Sequence, residues 1–151
     1  MCFVHRDFHA SNIMIKNKKF GLIDSQDALR GNLFYDLASL IDDVRIKLPI
    51  ELKSSLFNYY LSKTSKIKTN KEELLAKNDF DILSVQRNLK ILGIFVRLCK
   101  RDHKLSYLKH LPYIWQLLEL RLKNPVFANL KLLLNKAVPK KNRKKVNFND
   151  N

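Results

Sequence analysis

HRDFHASN at residues 5–12, running on through NIMIK (12–16) and then FGLID (20–24), decides the fold. His5, Asp7 and Asn12 follow the spacing His-x-Asp-x-x-x-x-Asn, which sets a carboxylate and an amide on one turn. The first is suited to take a proton and the second to hold a cation. The two apolar segments flank Asn17, Lys18 and Lys19, a three-residue connection expected to close a hairpin. Pairing across that turn places Asn12 opposite Asp24, with Cβ atoms roughly 5 Å apart on one face. One Mg²⁺ could then take an amide oxygen and a carboxylate from the protein and its other ligands from water and phosphate. Ile13, Ile15 and Ile23 fall on the other face, where a core is expected. A turn carboxylate at Asp7 and a turn amide at Asn12, both capping nearby backbone, form the alternative explanation of the loop by itself.

Working outward, VHRDFHASNIMI (4–15) and GLIDSQDALRGNLFYDLASLIDDVR (21–45) resemble the C-terminal lobe of the aminoglycoside phosphotransferase and choline kinase-like superfamily. Within it the chain is most similar to bacterial cell-wall sugar kinases acting on N-acetylmuramate and N-acetylglucosamine at the anomeric carbon. QRNLKILGIFVRLCKRDHKLSYLKHLPYIWQLLE (86–119) resembles the same group. The resemblance implies a mainly α chain with a small β-hairpin, the C-terminal lobe of a protein kinase-like α+β fold. It implies Asp7 as catalytic base, Asn12 and Asp24 on Mg²⁺, ATP as donor and a sugar hydroxyl as acceptor in cell-wall recycling. The family also carries an N-terminal lobe that covers the ATP phosphates, whereas this chain starts almost on the loop. That lobe is therefore expected to be absent and the chain by itself inactive. Ser25 stands where these kinases tend to carry an aromatic. An aminoglycoside or choline-type acceptor is the alternative, as is a non-catalytic remnant acting as a basic binding module through residues 136–145.

With 151 residues and 46% apolar content, the chain is expected to bury one core. Its 29 Lys and Arg against 14 Asp and Glu give a net charge of +15. Such a balance attracts phosphates, nucleic acid or anionic surfaces, although no nucleic-acid motif is visible and solvated lysine-rich helix faces account for it. Polycationic acceptors call for an acidic pocket, so the charge favours a neutral or carboxylate-bearing sugar. Cys2 and Cys99 show neither CxxC nor zinc spacing and read as reduced thiols. No apolar run approaches the ~20 residues of a membrane span and no signal peptide is evident, which makes the cytoplasm the expected compartment.

Taken in order, His5, His9 and Asp36 are expected to brace the loop, since no third ligand at a supporting spacing argues for metal. Asp27 and Arg30, in the polar stretch after Asp24, are candidates for the acceptor cleft or for loop bracing. YDLASLIDDVRI (35–46) reads as one helix with Arg45 and Lys47 toward its far end, and Pro49 begins another with Leu52 and Leu56 inward. Asn78 or Asp79 would cap a buried helix from about Phe80 to Lys100. Gln86, Lys90, Gly93 and Arg97 share one arc of that helix; a polar stripe on a buried helix needs partners, which makes Gln86, Lys90 and Arg97 candidate acceptor ligands. Tyr113 and Trp115 are expected in the core. The expected boundaries are a domain over 1–135 and a basic, mobile tail over 136–151.

Overall fold

Among the described residues, four short strands and six α-helices are formed: β1 (Cys2–Val4), β2 (Ile13–Lys16), β3 (Lys19–Leu22), β4 (Leu29–Gly31), α1 (Tyr35–Ile41), α2 (Ile50–Lys63), α3 (Asn70–Asp102), α4 (Leu111–Arg121), α5 (Ala128–Ala137) and α6 (Lys140–Arg143). This structure is a computed structural model and describes residues 1–64 and 67–143. As expected, it is mainly helical. Its contacts divide it into two compact units, Met1–Ser84 and Val85 onward, with α3 running from one into the other, rather than the single unit expected through residue 135.

In the first unit β1 pairs with β4 and β2 with β3, both antiparallel. The β2–β3 turn is Asn17-Lys18 alone, both left-handed at φ 50 and 60, the two-residue geometry whose twist suits a hairpin. Lys19 therefore joins β3 opposite Lys16, and the expected register moves by one position: Ile13 faces Leu22 and Ile15 faces Phe20. In β1 Val4 is buried while Phe3 is exposed.

Phe34, Ala38 and Ile41 pack with Leu61 of α2 and with Ala76 and Phe80 of α3, and the Phe57 and Phe80 rings lie 4.9 Å apart. α1 stops at Ile41, well short of the helix expected over residues 35–46. Asp42, at its end, is drawn into side-chain bonds: Lys53 Nζ at 2.9 Å and Ser84 Oγ at 2.6 Å. Carboxylates that capture local donors in this way compete with helix continuation, and Asp43 does the same with the Arg45 amide at 3.0 Å. α2 follows Pro49 as expected, but it turns Lys53 inward and leaves Leu52 exposed.

α3 starts at Asn70, not at Asn78 or Asp79, because Thr69 and Glu72 form a reciprocal capping box. The Thr69 hydroxyl accepts the Glu72 amide at 3.2 Å, and the Glu72 carboxylate accepts the Thr69 amide at 3.0 Å. Residues 71–77 (KEELLAK) and the apolar stretch that follows are thus one helix of 33 residues.

In the second unit α4 buries Leu111, Tyr113, Ile114, Trp115, Leu117 and Leu118, the two aromatics as expected. Pro112 sits in its first turn, where a missing amide costs nothing. The boundary expected between 135 and 136 falls inside α5, and the chain then folds back to bury Arg143. That guanidinium stacks 4.5 Å above Trp115, pairs with Glu119 at 3.2 Å and donates to the Leu134 and Val138 carbonyls at the end of α5. Residues 136–143 are therefore part of the fold. The remainder of the expected tail, 144–151, lies outside the described residues. Among those residues, no helix is long and apolar enough to cross a membrane.

Candidate active site

The loop after β1 is held from two directions. Asp36, in the first turn of α1, accepts the His5 amide at 2.7 Å on one carboxylate oxygen and the Arg6 amide at 3.0 Å on the other. The loop's own turn follows, with the His9 amide bonded to the Asp7 carbonyl at 3.0 Å and the Asn12 amide to the His9 carbonyl at 2.9 Å. Between them Arg6 adopts φ 72, a left-handed conformation that non-glycine residues hold only when their surroundings impose it. Its guanidinium donates to the Asp27 backbone carbonyl at 3.4 Å.

Asp36 thus ties the entry of the loop to the first turn of α1. The His5 ring contributes no hydrogen bond: it is 2% exposed, both ring nitrogens lack a partner, and it meets Phe8 edge-on at 6.2 Å. Tyr60 donates its hydroxyl to the Leu33 carbonyl at 2.9 Å. Burial, reinforced by the negative charges of Cys2 and Asp36, raises its phenol above the ordinary 10.0.

Asn12 is buried at the end of the loop and donates its amide nitrogen to the Asp7 carbonyl at 3.0 Å. That bond leaves the amide oxygen as the atom able to ligate a cation. In the observed register Asn12 lies beside Ile23, whose amide bonds to the Asn12 carbonyl at 3.1 Å, and Asp24 comes one residue later. Asp24 is therefore not the cross-strand partner expected, and a left-handed φ of 67 turns the chain there. Ile15 and Ile23 are correspondingly exposed rather than buried in a core. One Asp24 oxygen accepts the Gln26 amide at 2.6 Å, and the other remains. An amide oxygen and a carboxylate oxygen fit Mg²⁺, which prefers hard oxygen donors and keeps most of its shell for water and phosphate. Among the described residues no three His, Cys, Asp or Glu side chains gather as a metal cage.

The Asp7 carboxylate accepts no hydrogen bond and joins no ion pair among the described residues. Asp27 and Arg30 are exposed in the same unit, Arg30 on β4 opposite Phe3. Gln86, Lys90 and Arg97 belong to the second unit and are exposed, and a Cβ at Gly93 would meet nothing within 4 Å. The stripe is a solvent face, so its polarity alone requires no partner. The buried polar groups of this part of α3 are instead Asp81, Ser84, Arg87 and Asn88. Gln26 was not legible as a neighbour of Asp24 beyond its being two residues away.

Residues 1–73 match the model of the phosphotransferase enzyme family, a stretch that includes the whole loop, Asn12, Asp24 and Asp36. The chain is 35% identical over 137 residues to the N-acetylmuramate/N-acetylglucosamine kinase of Pseudomonas aeruginosa, covering 87% of this chain and 40% of that protein. Kinases of the same name from Neisseria meningitidis serogroup B and Caulobacter vibrioides are 38% identical over 112 residues and 30% over 147. Those matches cover 73% and 94% of this chain and 34% and 39% of the relatives. The chain therefore spans well under half the length of the relatives it matches.

Proposed function

We propose that this chain, whose residues 1–73 match the phosphotransferase enzyme family, forms the acceptor-activating part of an ATP-dependent sugar kinase. The observation that carries this is the Asp7 carboxylate, uncommitted on a loop whose backbone is fixed by Asp36 and by the side chain of Asn12. In the proposed reaction Asp7 accepts the proton of the attacking sugar hydroxyl, and Asp36 keeps that carboxylate in place. Asn12 and Asp24 would hold Mg²⁺, which supplies neutralisation of the charge on the ATP phosphates. The acceptor is N-acetylmuramate or N-acetylglucosamine at its anomeric hydroxyl, supported by the names of the matched relatives. With ATP as donor the setting is cytoplasmic. Positioning and electrostatics dominate such catalysis, and the relatives deploy more than twice this length; these residues by themselves are expected to turn over little or no substrate.

The test is a chimera in which this chain replaces the matched 137 residues of the Pseudomonas kinase. It should phosphorylate N-acetylmuramate with MgATP, and Asp7→Asn should lower kcat by at least about 10²-fold with folding unchanged, within the range of general-base catalysis. A folded chimera that binds ATP yet transfers no phosphate, or one indifferent to Asp7→Asn, would sink the proposal.

A further inference from the structure

α5 turns to solvent a face that hydration alone does not explain. At 100° per residue Lys131, Leu132, Lys136 and Leu133 follow one another around an arc of roughly 200°. All four are exposed, Leu132 at 69% and Leu133 at 62%. Leu130 and Leu134 take the opposite, half-buried side. Val126, in the turn that leads into α5, is 54% exposed, and Lys140 and Lys141 are exposed just beyond its end. A lone exposed leucine is ordinary, but two adjacent ones flanked by cations form the pattern of a helix that lies at an interface. The charge is also uncompensated. From residue 103 to residue 143 the single acid is Glu119, and Arg143 already holds it at 3.2 Å. Lys131 and Lys136 join no ion pair among the described residues.

We propose that this face docks, weakly and reversibly, on an anionic lipid bilayer, with α5 lying in the plane of the surface. Leu132 and Leu133 enter the boundary between headgroups and acyl chains. The lysine stems run beside them over apolar surface while their ammonium groups reach lipid phosphates. Nothing spans the membrane: α5 has 10 residues, and among the described residues no helix is long and apolar enough to cross. Of the anionic partners that a chain of net charge +15 attracts, a bilayer is the one that uses the leucines. A nucleic-acid backbone pairs with lysines but has no apolar layer to receive Leu132, and α5 carries no aromatic side chain on which a base could stack. The face belongs to the second unit and lies outside residues 1–73, so it stands or falls independently of the phosphotransferase proposal.

The experiment floats the purified full chain with vesicles of phosphatidylethanolamine and phosphatidylglycerol, and with vesicles of phosphatidylcholine alone. Binding is expected to the anionic vesicles only, weakening steeply as salt is raised. Lys131→Gln with Lys136→Gln should reduce partitioning at least tenfold, since each lysine near such a surface is worth about fivefold. Leu132→Ser with Leu133→Ser should also reduce it by at least about tenfold, with net charge and helical content by circular dichroism unchanged. Lys16→Gln with Lys19→Gln, the same loss of charge placed at the β2–β3 turn, should change it less than about threefold. Amide exchange should slow across residues 128–137 when anionic vesicles are present. Absence of binding to those vesicles, equal binding to phosphatidylcholine, indifference to the leucine variant as at a nucleic-acid site, or a dimer of this chain that buries α5 would each overturn the proposal.

Discussion

Asp36 and Arg6 lie 30 residues apart and are joined by a 3.0 Å bond from the Arg6 amide to the Asp36 carboxylate. With the companion bond to the His5 amide, it keeps Arg6 at φ 72 and so fixes the backbone entering Asp7. Hydrogen bonds to a charged acceptor are worth about 1.5–3 kcal/mol each. Asp36→Ala is therefore expected to destabilise the first unit by at least about 2 kcal/mol. The direct readout is hydrogen exchange, which should accelerate at the His5 and Arg6 amides before the helices are affected.

His5→Phe separates packing from bracing. Both ring nitrogens are buried without a partner, and a buried polar group left unsatisfied costs about 1–3 kcal/mol. The substitution should raise the urea midpoint, by the equivalent of about 1 kcal/mol. A fall of that size would mean that the imidazole holds the loop by a hydrogen bond.

Lys53 is 5% exposed and joins Asp42, the residue that ends α1, while Ser84 of α3 occupies the other Asp42 oxygen. Removing one partner of a buried pair leaves an uncompensated charge, at about 3–5 kcal/mol. Lys53→Met should show a loss of that order in chemical denaturation. Lys53→Met with Asp42→Asn should recover part of it, because the stranded charge is then gone; additive losses would contradict the pairing.

At the start of α3 the Lys68 backbone amide, then the Thr69 hydroxyl and amide, hold the exposed Glu72 carboxyl below its ordinary 4.5. A depressed folded pKa means that the stabilisation is complete above 4.5 and is lost as pH falls through the lower folded value. Fraying of the first turn of α3, followed by amide exchange near residues 70–73, should set in below pH 4.5. Glu72→Gln should remove that dependence.

Arg143→Ala should loosen the end of α5 and expose the ring of Trp115, now beneath the guanidinium. The expected signature is a red shift of tryptophan emission together with loss of stability in the second unit by about 2–4 kcal/mol, the scale of a buried, charge-assisted cluster. An unshifted emission maximum would contradict the stacking.

Local chemistry made much of this protein legible. His5 to Asn12 is short enough that spacing alone puts Asp7 and Asn12 on one turn, and the link between them is a local bond five residues long. The helix after Pro49 and the burial of Tyr113 and Trp115 also follow from local rules. Other signals were present but masked by stronger ones. Thr69-x-x-Glu72 announces the true start of α3, and Asn17 marks the two-residue turn that shifts the hairpin register by one.

By itself, then, the sequence determined the mainly helical class and the residue types gathered on the loop after β1, because these depend on propensity and on groups a few bonds apart. Only the tertiary structure decided that the His5 ring makes no hydrogen bond within the loop and that Lys53 turns inward while Lys90 and Arg97 face solvent. It likewise decided that Arg143 closes the second unit. Each of these is settled by which distant group satisfies a buried charge or amide, and no periodicity along the chain encodes the identity of a partner 8 to 42 residues away.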